Sequence, residues 1–317
     1  MAFYSGQASS YQELLDVLIN ACVTKGWTWA DGILSKGKAF IRPFVSTTAT
    51  TAQGRGIIIQ GGTGKTGSNL DDPSVAKPRL GALGAATSKS TEVIFPCDYN
   101  IHIFNDPDEV YLVVNFSIDR FYYLAFGLSN VNLIGTGLWL MATASSGYDT
   151  TGLEGNSGWD IGSSGGGVNG YYFACGPFWQ TTFSTNTNLR NHIIHTGLNS
   201  TGWQQTGNDT QQSATNAVHS IRNIITRLPN NFFSETTFLP IQILNYVLSN
   251  KCSMVADLRN ARYLRIDNFE PNQIITIGSV KWKIYPFYRK NIANRSGGTY
   301  GITHTGTFGW AIRYDGP

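Results

Sequence analysis

The chain has 317 residues, 41% hydrophobic and 13% aromatic, with 23 Lys and Arg against 20 Asp and Glu for a net charge of +3. So small and scattered a balance offers no basic face for nucleic acid, and no apolar run approaches the roughly 20 residues that span a bilayer. Charged residues make up only 14%, against roughly 25% in an average soluble domain, so Gly, Ser, Thr, Asn and Gln must carry the surface, as suits faces that partners cover.

The first predicted element is a helix. Ser10 followed by Glu13 makes a capping box, and Leu14, Leu15, Leu18 and Ala21 or Cys22 form its apolar stripe, with Gly26 ending it. Trp27 and Trp29 alternate along a short strand. Asp31-Gly32 gives a hairpin turn and Lys36-Gly37 a second one before a strand from Ala39 to Val45. Ser46 to Gln53 is a Thr/Ala-rich connector, and Gly56 to Gln60 reads as another strand.

Gly61 to Gly67, GGTGKTG, carries the Gly-Lys-Thr of a phosphate-binding loop but lacks its spacing. That motif needs glycine five residues before Gly64, where Ile59 stands, and Asp71-Asp72-Pro73 continues as loop instead of opening a helix. The segment therefore reads as a glycine-rich surface loop, with no nucleotide cofactor implied.

Ile101 to Ser129, IHIFNDPDEVYLVVNFSIDRFYYLAFGLS, reads as core. Asp106-Pro107-Asp108-Glu109 supplies a turn whose acidic side chains bond the backbone, and Val110 to Phe116 has the composition of a buried strand. Chain organisation is expected in three regions. They are an N-terminal helix plus β region at 1–142, a Gly/Ser/Thr/Asn-rich loop module at 143–215, and a helix plus β region at 216–317.

In the loop module regular structure should be sparse, and its aromatics are the candidate binding residues: Tyr148, Trp159, Tyr171, Trp179 and Trp203. Aromatics flanked by amides and hydroxyls can stack on a sugar or on another protein. Asp149, Glu154 and Asp160, near Trp159 in the loop module, are the carboxylate candidates for a glycan-cleaving pair, and a Gly/Ser segment lacks the rigid scaffold on which such a pair is generally mounted. His192 and His195, three apart, would share one face of a helical turn, but no third metal ligand accompanies them. No catalytic or metal residue is assigned.

Ala217 to Leu228 reads as a second helix, with Val218, Ile221, Ile225 and Leu228 on one face and Pro229 stopping it. Strands follow at Phe238 to Leu248, Arg262 to Asp267, Ile274 to Ile277 and, after a Gly278-Ser279 turn, Val280 to Tyr285. Phe308 to Ile312 is a strand-like stretch expected to be docked. Cys22, Cys97, Cys175 and Cys252 are far apart and read as small buried hydrophobes. The fold class is thus mainly β, antiparallel strands in sandwich or barrel-like layers, with a capped N-terminal helix and a second helix before the C-terminal β region.

Three stretches resemble virion structural proteins of tailed bacteriophages, near the tail or baseplate. They are the run Phe121 to Gly127, the opening MAFYSGQASSYQELLDVLINACVTKGWTW with ILSKG after it, and the ending ARYLRIDNFEPNQIITIGSVKWKIYPFYRK with TGTFGWAIRYDGP. They cover less than half the chain and contain no catalytic signature. The resemblance implies a non-enzymatic component of the virion tail, made in the host cytoplasm, a homo-oligomer touching other tail or baseplate proteins. A host-surface binding protein using the 143–215 loops is the second expectation, and a cell-envelope glycan-degrading enzyme the third.

Overall fold

The structure, a computed structural model, describes residues 1–47, 55–83, 93–118, 120–146, 177–178, 192–198, 202–206, 217–220, 236–247, 251–287, 290 and 308–317. The chain opens with strand β1 (Ala2–Ala8) and helix α1 (Tyr11–Val23). Ser10 caps the helix as its spacing predicts: the Glu13 N–H donates to Ser10 Oγ at 3.2 Å, while the Glu13 carboxylate reaches back to the Ser9 N–H at 2.7 Å. Leu14, Leu15, Leu18, Ile19, Ala21 and Cys22 form its buried face.

A meander follows: β2 (Thr28–Ala30), β3 (Ile33–Lys36) and β4 (Ala39–Ser46). Asp31 and Gly32 both have positive φ, 55° and 73°, the turn that matches strand twist in a two-residue hairpin. Next come β5 (Gly56–Gly62), β6 (Gly64–Thr66), β7 (Asn69–Asp71) and β8 (Arg79–Leu83). The GGTGKTG segment is therefore a small hairpin, β6 against β7, turned at Gly67 with φ +61°. Lys65 meets Asp31 at 2.9 Å instead of a phosphate.

The core strands are β9 (Cys97–Asn105), β10 (Asp108–Ser117), β11 (Arg120–Leu128) and β12 (Leu138–Ala142), followed by β13 (Ala144–Ser146). Then come β14 (His192–His195), β15 (Trp203–Thr206), β16 (Ala217–Ser220), β17 (Leu239–Val247) and β18 (Lys251–Arg265). The last are β19 (Ile274–Ile277), β20 (Val280–Pro286) and β21 (Phe308–Tyr314).

Thirteen strands form one sheet in the order β1-β9-β10-β11-β12-β14-β15-β16-β17-β18-β21-β20-β19, and a second sheet runs β13-β8-β5-β4-β3-β2. Among the described residues the large sheet folds over on itself without closing. Tyr123 on β11 packs edge-on against Trp310 on β21 at 4.8 Å, and Tyr111 on β10 meets the same indole at 5.6 Å. The opposite face of β11 and β12 meets the six-stranded sheet, and Trp27, just beyond α1, packs on Phe126 at 5.3 Å. The molecule is mainly β and sandwich-like, with β9 to β12 as the middle layer.

That middle position explains the sequence of β10 and β11. A strand covered on both faces loses the alternation of polar and apolar residues and reads as a continuous hydrophobic run. Val110 to Val114 and Phe121 to Ala125 are all fully buried, and each buried aromatic contributes about 2–3 kcal/mol of transfer free energy.

Two expectations are corrected. Ala217–Ser220, the start of the expected second helix, is a strand paired with β15 and β17; the rest of that segment lies outside the described residues. A β ladder on both sides satisfies this backbone, and it overrides the helical spacing of the apolar residues. His192–His195 is likewise a strand between β12 and β15, not a helical turn. Cys22 and Cys97 are buried as expected and Cys252 is exposed; all three are free thiols, and Cys175 lies outside the described residues.

Candidate functional site at the seam around Trp203

Of the five candidate binding aromatics, the structure describes Trp203; Tyr148, Trp159, Tyr171 and Trp179 lie outside the described residues, as do Asp149, Glu154 and Asp160. Trp203 sits on β15 of the large sheet and reaches the small one. A Cβ built on Gly61 of β5 would lie 2.5 Å from Trp203 Cη2, so only glycine leaves room for the indole. Trp203 Nε1–H donates to the Asp72 carbonyl at 2.9 Å, and its ring stacks tilted on His195 at 5.0 Å. Trp203 is a half-buried clamp between the two sheets.

His195 is the titratable centre of this seam. Its Nδ1 accepts the Thr136 backbone N–H at 2.9 Å and faces Thr136 Oγ1 at 3.2 Å. A ring nitrogen facing a backbone N–H must carry a lone pair, so the proton of the neutral ring sits on Nε2 and points at Asp72 Oδ2, 3.6 Å away. Burial pulls the His195 pKa below its ordinary value, with Asp72 opposing.

With Nδ1 engaged and Nε2 protonated, His195 has no free lone pair for a metal or for a substrate proton. His192, three residues earlier on a strand, points to the other face, where it packs on Phe178 at 5.1 Å. Among the described residues no three His, Cys, Asp or Glu side chains come together to hold a metal.

Three further buried titratable groups among the described residues, His102, Lys290 and Glu109, bond neighbouring groups of the fold. His102 on β9 donates from Nδ1 to the Arg313 carbonyl at 3.2 Å and accepts the Tyr285 hydroxyl at Nε2 at 2.8 Å, joining β9 to β21 and β20. Complete burial, with Lys283 adding repulsion, pushes its pKa down to about 3. Lys290, 1% exposed, donates to the carbonyls of Ile266 and Asp267 at 2.7 and 3.0 Å.

Glu109, expected in a turn with Asp106, Pro107 and Asp108, is 1% exposed. The turn is only Asp106-Pro107, since Asn105 already pairs with Asp108, so Glu109 belongs to the strand and faces inward. Beside it β18 bulges: Leu258 pairs with Ile241 and Arg262 with Pro240, which leaves three residues without partners on β17. Glu109 accepts the backbone N–H groups of Arg259 and Asn260 at 3.0 and 3.1 Å, the Asn260 side-chain amide at 2.8 Å and the Tyr111 hydroxyl at 2.9 Å. Arg262 Nη1 gathers the carbonyls of Leu258, Arg259 and Ala261 at 2.7–3.0 Å. Burial lifts the Glu109 pKa to about 7 against the pull of its four donors.

No protein-family model matches the chain, and a search of curated proteins also finds no match.

Proposed function

We propose that this chain is a non-enzymatic structural component of a bacteriophage tail, at the baseplate or tail tip, contacting other subunits in a symmetric assembly. The observation that carries this reading is the fate of the reactive side chains. Among the described residues, His102, Glu109 and Lys290 hydrogen-bond to neighbouring groups of the fold, and His195 Nδ1 accepts a backbone N–H. The seam that holds the candidate aromatic Trp203 is a packing joint. The surface is poor in charge, 14% of residues, which suits faces covered by neighbours. The resemblance of the opening, the aromatic run and the ending to virion tail proteins supplies the particle.

Immunogold electron microscopy of purified particles with an antibody against this chain tests the proposal. Label at the distal tail is the expected result. Unlabelled particles whose epitopes are demonstrably accessible would overturn it.

A further inference from the structure

We infer that His195 is an acid-released latch: its unprotonated ring holds the 129–137 loop to the end of β14 through the Thr136 N–H, and protonation of Nδ1 lets that amide go. The loop leaves β11 at Leu128 and enters β12 at Leu138. Three consecutive amides dock it. Gly135 N–H donates to the Thr196 carbonyl at 2.8 Å and Gly137 N–H to the His195 carbonyl at 2.9 Å. Thr136 N–H, between them, donates instead to Nδ1 of the His195 ring at 2.9 Å. Backbone carbonyls accept at any ordinary pH. An imidazole nitrogen accepts only while it keeps its lone pair, so the middle bond of the three is the one that acid removes.

Thr136 also supplies a partner for the charged ring. Its Oγ1 lies 3.2 Å from the same Nδ1, and a hydroxyl oxygen can accept from the N–H that protonation creates. One residue thus presents a donor and an acceptor to one ring nitrogen, and the charge on the ring selects between them. In the charged state the backbone N–H of Thr136 faces a second donor and loses its acceptor. The ring has little room to turn away. A Cβ built on Gly202 would lie 2.8 Å from Nε2, and the Trp203 indole packs on the imidazole at 5.0 Å. The adjustment therefore falls on the loop.

Among the described residues, the charged group that faces the ring is Asp72, just after β7, 3.6 Å from Nε2; His192 on the same strand points to the other face. The Asp72 side chain is largely exposed, so its attraction for a protonated ring is weak and burial prevails. The hold is complete above pH 6.5 and is lost as pH falls through the lowered His195 pKa. What acid frees is a segment that carries Leu133 and Ile134, the latter 86% exposed. The start of the loop stays tied to β18, where Ser129 Oγ donates to the Val255 carbonyl at 2.6 Å and Asn130 Oδ1 accepts the Asp257 N–H at 3.1 Å. Release is thus a local loosening. It goes beyond the structural reading above and does not depend on it.

Nuclear magnetic resonance of the purified chain tests the latch without any variant. The His195 ring should titrate below 6.5, with its neutral form protonated at Nε2, and the Thr136 amide shift should follow the same curve. Hydrogen-exchange protection at Thr136, corrected for the intrinsic pH dependence of exchange, should fall about tenfold as the ring becomes charged. Gly137, bonded to a carbonyl, should change far less. His195→Asn sets an amide oxygen near the place of Nδ1 that acid does not protonate, so the loss at Thr136 should disappear. A neutral ring protonated at Nδ1, Thr136 protection that stays level through the titration, or a loss that persists in His195→Asn would overturn the inference.

Discussion

Glu109 and Asn260, 151 residues apart in sequence, share one carboxylate oxygen: Oε2 accepts both the backbone N–H and the side-chain amide of Asn260. The pair closes a bulge that would otherwise leave buried donors without acceptors. Glu109→Ala should destabilise the fold by about 3 kcal/mol, since orphaned buried donors cost about 1–3 kcal/mol each. Glu109→Gln, which keeps one acceptor oxygen, should lose less. Urea unfolding of both variants measures the difference.

The same carboxylate gives the protein a pH signature, opposed by His102. Glu109 is raised from 4.5 to about 7, so its stabilising contribution is complete below pH 4.5 and lost as pH rises toward 7. His102 is lowered from 6.5 to about 3, so its contribution is complete above pH 6.5 and lost as pH falls toward 3. Between pH 4.5 and 6.5 the two slopes cancel. Glu109→Gln removes one of them, so the variant should gain stability relative to the parent across that interval, by at most about 1.4 kcal/mol per pH unit. Parallel thermal melts of parent and variant at pH 4.5 and 6.5 report it; equal differences at both pH values would refute the assignment.

At the seam between the sheets, Gly61→Ala should cost about 1–3 kcal/mol by forcing the new methyl against the Trp203 indole. Trp203→Ala should cost about 3 kcal/mol through lost packing and the abandoned Asp72 carbonyl. The double variant should be less damaged than the sum, because the methyl then occupies space the indole has left. A denaturant double-mutant cycle measures this coupling, and strict additivity would contradict the contact.

Removing the whole 143–215 region should unfold the protein, because it deletes β14 and β15, which bridge β12 to β16. A deletion confined to residues 147–176 removes no described strand. It should leave the near-ultraviolet circular dichroism of the buried aromatics in place and separate assembly from host adsorption in particles.

Local signals in the sequence carried much of the fold. Ser10 with Glu13, Asp31-Gly32 and Gly278-Ser279 are short-range devices whose chemistry acts within a turn, and each stands where its spacing predicts. The apolar run of β10 was readable as core for the same reason that it is continuous: both faces are covered. What failed was non-local. Ala217–Ser220 has helical apolar spacing, and only neighbours drawn from β15 and β17 make it a strand. Glu109 sat beside a turn signal, and nothing in its surroundings announces a bulge 150 residues away that needs its oxygens. Of the candidate site, Trp203 was singled out for exposure, whereas the glycine that receives it, Gly61, lies in a motif read for phosphate binding.

The place of β21 orders the folding of the chain in time. β18 and β20 both pair with β21 and not with each other, so residues 251–265 and 280–286 lie on either side of a slot until residues 308–314 have left the ribosome. Until then Trp310 is missing from between Tyr111 and Tyr123, and the inner faces of β10 and β11 lack that part of their cover. A nascent chain stalled before Phe308 would present the stickiest surface of the molecule to the cell, and holdase chaperones should capture that intermediate in preference to the finished chain.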